Sequence, residues 1–132
     1  MRNFCATVIT LLYSANVAFA EQVFEENAQQ PNRGAYFEWK TVIIPKNETK
    51  YRGGEDSADG SEYALCVADG VGGWALQGVD PGFFSRKLTS SAVEELTLNP
   101  NANARDLNIA GCEKAKEAFT GSATVTSVMI ED

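Results

Sequence analysis

Apolar positions in this chain gather into short runs separated by polar, glycine-rich stretches. The first run, residues 3–20, carries no charge; Arg2 precedes it, and Val8 to Leu12 and Val17 to Phe19 are its apolar centres. Ala18-Phe19-Ala20 follows as a small-residue cleavage triplet before Glu21, so residues 1–20 read as a signal peptide. That predicts the secretory pathway or the extracellular space, with a mitochondrial presequence as the alternative. The run only just reaches spanning length, and no stable membrane span is expected after processing.

Residues 21–36 are polar and read as a flexible lead-in. Tyr36 to Pro45 holds Phe37, Trp39, Val42, Ile43 and Ile44, a β-branched and aromatic run that predicts a strand ending at the proline. Lys46 to Ser61 reads as a charged, glycine-rich loop. Glu62 to Ala68 reads as a buried strand that Asp69-Gly70 closes, and Gly72, Gly73 and Gly78 mark the loop after it. Asp80-Pro81 combines an N-cap residue with proline at the first helical position, and Phe84, Leu88, Ala92 and Leu96 then recur at helical spacing. Asn99-Pro100-Asn101 breaks that helix. A second helix is expected from Ala104 to Phe119, with Leu107, Gly111, Ala115 and Phe119 on one face. Ala123 to Ile130 alternates as a final strand. The order strand, loop, strand, helix, helix, strand predicts an α+β domain over residues 37–132. Its last strand reaches the end of the sequence, so further strands are expected to be missing.

Composition narrows the chemistry. With 132 residues, 44% apolar and 10% aromatic, the chain can bury one modest core and is not a disordered sequence. A net charge of −7 without a basic stripe argues against a nucleic-acid partner. Histidine is absent, which excludes Ser-His-Asp and Cys-His mechanisms and His-ligated zinc within this chain. The cysteines Cys5, Cys66 and Cys112 have no CxxC spacing. Cys66 and Cys112 read as buried free thiols in preference to a disulfide pair. Asn47-Glu48-Thr49 is a glycosylation sequon of consequence only in a secreted chain.

Oxygen ligands remain. Glu55-Asp56 sits between two strand-like segments, and Asp69-Gly70 ends the second. A hairpin of those strands would bring both acidic motifs to one end of the sheet. Carboxylates there, with the close-approaching Gly70 carbonyl, suit a hard divalent cation; a pair of such ions can share a water and lower its pKa. Taken singly, Glu-Asp is more often a solvated loop and Asp-Gly more often a turn.

The wording of the motifs goes further. Gly53-Gly54-Glu55-Asp56, Val67-Ala68-Asp69-Gly70-Val71-Gly72-Gly73-Trp74, Gly78-Val79-Asp80-Pro81, Phe84-Ser85 and Gly121-Ser122-Ala123-Thr124 resemble the type 2C (PPM) metal-dependent protein serine/threonine phosphatases over residues 38–132. The resemblance implies part of a four-layer αββα sandwich. It implies two Mg²⁺ or Mn²⁺ ions in the complete domain and hydrolysis of phosphoserine or phosphothreonine proteins by metal-activated water. Asp69 matches the aspartate that bridges both metals, Gly70 the residue whose carbonyl binds one of them, and Glu55 an acidic ligand. Asp56 matches the neighbouring acid that orients the water. Arg52 is near the phosphate-binding arginine, one residue short in its spacing to Glu55. Trp74 and Phe84 read as core or packing residues. The family's domain runs to about twice this length, and its later Gly-Asp-Ser strand and distal aspartates have no counterpart here. The alternative is therefore a catalytically inactive, phosphatase-like binding fragment.

Overall fold

A computed structural model describes residues 4–13 and 34–131. The cleavage triplet and residues 21–33 of the lead-in lie outside the described residues. Strand β1 (Phe4–Tyr13) pairs in parallel with β2 (Ala35–Ile44), with Phe4 opposite Ala35. A second sheet is antiparallel, in the order β3 (Asp56–Gly60), β4 (Ala64–Gly70), β5 (Ala123–Met129). Between β4 and β5 run a 3-10 turn (Gly72–Gln77) and the helices α1 (Pro81–Leu98) and α2 (Ala104–Ala118). The α+β expectation holds.

The helices begin where their capping chemistry puts them. The Asp80 side chain accepts a hydrogen bond from Gly82 N at 2.9 Å, with Pro81 at the first helical position. At α2 the Asn103 side chain accepts from Asp106 N, and the Asp106 carboxylate accepts from Asn103 N, a reciprocal capping box.

Alternation along β4 divides its side chains between two faces. Ala64, Cys66 and Ala68 join the core with Phe84, Leu88, Ala92 and Leu96 of α1 and with Leu107 and Ala115 of α2. Phe84, Leu88, Leu96 and Leu107 are each almost completely buried, and each contributes about 1.5–3 kcal/mol of burial free energy. Helix α1 packs on β3 and β4, and α2 packs on α1 and β5. Leu65, Val67 and Asp69 point to the other face. There Leu65 and Trp39 of β2 close over Gly60, and Phe37 N donates to Glu62 O at 2.7 Å.

Three expectations need correction. The stretch Lys46–Ser61 is not all loop, because Asp56–Gly60 forms β3. It holds no β-branched or aromatic residue, so pairing with β4 overrides its weak local preference. The hairpin that carries the acidic motifs is therefore β3–β4, while β2 pairs with β1. Phe119 ends α2 half-exposed and stacks on Phe83, with ring centroids 5.5 Å apart, instead of continuing the buried face.

Candidate functional site

The β3–β4 register places Asp56 directly opposite Asp69, and β5 sets Thr124 on the far side of Asp69. The two aspartates thus lie on one sheet face, at the end where β4 passes into the glycine loop. This is the juxtaposition expected of the acidic motifs. The carboxyl of Asp56 is pushed up to about 6, first by burial, then by its hydrogen bond to Asp69, then by the charges of Asp69 and Glu55; Lys46 works in the opposite direction.

Glu55 is fixed through its backbone. Its carbonyl accepts from Gly70 N at 3.1 Å and from Ser85 Oγ at 2.5 Å, which ties the start of β3 to the end of β4 and to α1. A Cβ on Gly70 would sit 2.6 Å from the Glu55 carbonyl and 2.8 Å from that of Pro81, so only glycine fits between these two backbones. The Glu55 carboxylate meets Arg52 Nη2 at 3.2 Å and Lys46 Nζ at 3.6 Å, and it lies against Gly72. Arg52 continues to Asp80, Nε to Oδ1 at 3.6 Å, and Arg86 Nη2 reaches the second oxygen of Asp80 at 3.7 Å.

Behind the site, Ser122 of the loop before β5 holds the glycine turn twice. Its carbonyl accepts from Val71 N at 2.9 Å, and its hydroxyl accepts from the Trp74 indole at 2.9 Å. Trp74 is thus a packing residue outside the core, while Phe84 is deep within it. Cys66 is buried and Cys112 half-buried, and both are free thiols; burial pushes the Cys66 thiol up.

Each sequence-predicted site residue falls in this cluster: Arg52, Glu55, Asp56, Asp69 and Gly70. Sequence reasoning missed the role of Asp80 beyond capping, and it missed Arg86 and Ser85. Asp80 and Ser85 stood inside quoted motifs, but only the fold shows them turned towards Arg52 and Glu55. Among the described residues, no group of three or more His, Cys, Asp or Glu is arranged as a metal cage. The oxygen-only donor set and the crowded Asp56–Asp69 pair nevertheless fit part of a site for a hard divalent cation. No helix among the described residues is long and apolar enough to cross a membrane.

No protein-family profile matches the chain. It is 35% identical to Probable protein phosphatase 2C 55 of Arabidopsis thaliana, over 68% of this chain and 19% of that protein. It is 37% identical to Probable protein phosphatase 2C 80 of the same plant, over 70% and 23%. To Protein phosphatase PTC7 homolog fig of Drosophila grimshawi it is 39% identical, over 80% and 31%. The solved structure of the photosystem II phosphatase PBCP superposes with a TM-score of 0.56 at 36% identity, covering 68% of this chain and 36% of that one. The chain thus spans less than a third of each of these curated relatives. Fold, motifs and relatives agree, and the chain belongs to the type 2C (PPM) protein phosphatase family as part of its domain.

Proposed function

We propose that this chain supplies one half of the catalytic centre of a metal-dependent protein serine/threonine phosphatase. The observation that carries the reading is the pairing of Asp56 with Asp69 across β3–β4, with the Gly70 carbonyl and Glu55 beside it. Asp69, Glu55 and the Gly70 carbonyl would hold Mg²⁺ or Mn²⁺. A cation bound there supplies Lewis acidity and lowers the pKa of a water. Asp56 would orient a water there by accepting a hydrogen bond from its O–H. Arg52, on the same loop, offers N–H donors to the phosphoryl oxygens of a phosphoserine or phosphothreonine. The ion pairs of Glu55 with Arg52 and Lys46 favour a second reading, a phosphatase-like chain that binds a partner without turnover. Residues 1–20 are read as a cleaved secretory signal, with the mitochondrial presequence as the alternative; cleavage would remove β1 from β2.

Titration calorimetry with Mn²⁺ tests the site in this chain. Wild type should bind weakly, and Asp69→Asn should not bind. A chain carrying the complete domain should hydrolyse phosphoserine or phosphothreonine peptides only with the cation, and Asp69→Asn should nearly abolish turnover. Cation-independent hydrolysis would overturn the mechanism, and cation binding without turnover in the complete domain would favour the second reading.

A further inference from the structure

We propose that Asp80 is a positioning residue that holds the Arg52 guanidinium at the edge of the carboxylate site, oriented for a phosphoryl oxygen. This rests on the reading of Arg52 as the phosphate-contacting residue.

Arg52 lies largely out of solvent, its side chain 17% exposed. Its Nε is shut off from water and has no hydrogen-bond partner among the described residues. The charge facing that N–H is the Asp80 carboxylate at 3.6 Å. At the other end of the group, Nη2 donates to Glu55 Oε1 at 3.2 Å. With Nη2 hydrogen-bonded to Glu55 and Nε facing the Asp80 carboxylate, the planar fork has the direction of its remaining N–H groups constrained as well.

Asp80 is itself immobilised. One of its oxygens caps α1 through Gly82 N, where the helix end favours a negative charge. Arg86 reaches the other oxygen, donates to Gly54 O at 3.4 Å, and lies over the Phe83 ring at 5.2 Å. The helix therefore passes its own rigidity to a loop arginine through one carboxylate, which a cap alone does not require.

Asparagine caps a helix about as well as aspartate, so Asp80→Asn and Asp80→Ser separate the two roles. Two readouts apply to the whole chain: the Arg52 Nε–Hε signal in ¹⁵N–¹H spectra, and titration of inorganic phosphate in the presence of Mg²⁺. Both variants should melt close to wild type, shift or broaden the Arg52 signal, and weaken phosphate binding about three- to tenfold. Arg52→Ala sets the floor. If Arg52→Ala weakens phosphate binding while both Asp80 variants leave the affinity and the Arg52 signal unchanged, the positioning role is refuted and the reading of Arg52 survives. If Arg52→Ala leaves phosphate binding unchanged, the reading of Arg52 fails, and the inference with it.

Discussion

Asp69→Asn should stabilise the cation-free protein even as it destroys the proposed cation site. In the folded state Asp56 faces Asp69, and its carboxyl rises from 3.8 to about 6. A folded state that keeps its proton to higher pH than the unfolded chain loses stability as pH rises through that window. At 1.36 kcal/mol per pK unit the full shift corresponds to about 3 kcal/mol. Burial, the largest cause, survives the substitution, and both carboxylates are partly open to screening solvent. The relief is therefore about 0.5–1 kcal/mol, roughly 2–6 °C in Tm for a domain of this size. Thermal melts in EDTA check it. The variant should melt higher than wild type at pH 7.5, with the gain shrinking towards pH 4.5 as Asp56 becomes protonated in both proteins. Added Mn²⁺ should raise only the wild type. A variant that melts lower than wild type at pH 7.5, or gains as much at pH 4.5, would refute the carboxylate-repulsion account.

Gly70→Ala should cost about 1–3 kcal/mol, because its Cβ would collide with the Glu55 and Pro81 carbonyls; a drop in Tm under the same conditions measures it. Cys66 should resist a thiol reagent in the folded protein while Cys112 reacts, since Cys66 is buried and its thiol is pushed up; mass spectrometry after brief labelling distinguishes the two, and rapid labelling of Cys66 contradicts the prediction. N-terminal sequencing of protein from its native cell should begin at or near Glu21, and a mature chain beginning at Met1 would refute signal cleavage.

Both helices and two of the three core strands were legible from periodicity and punctuation. Asp80-Pro81 fixed the start of α1, and Leu107, Gly111 and Ala115 lie buried as the spacing required. What stayed hidden depends on partners distant in the chain. Asp56–Gly60 becomes a strand only because β4 lies beside it, and the facing of Asp56 and Asp69 follows from that register. Ser85 reaches the Glu55 carbonyl from thirty residues away, and Asp80 reaches Arg52 only through tertiary folding. No local pattern encodes those contacts. The candidate site residues were picked out by motif wording, not by periodicity, and the fold brings them to one end of the β3–β4 hairpin.

The two bonds from Ser122 set a timetable for the emerging chain. During synthesis, β3, β4 and both helices leave the ribosome before the residue that clasps Val71 and Trp74 exists. The acidic hairpin can form early from neighbouring residues, but the turn beside it gains both anchors only when the approach to β5 arrives. A nascent chain stalled between α2 and β5 would carry the aspartates in place with an unlatched glycine turn. Arrival of Ser122 and β5, more than fifty residues after Asp69, is thus the step that latches the turn beside the carboxylates.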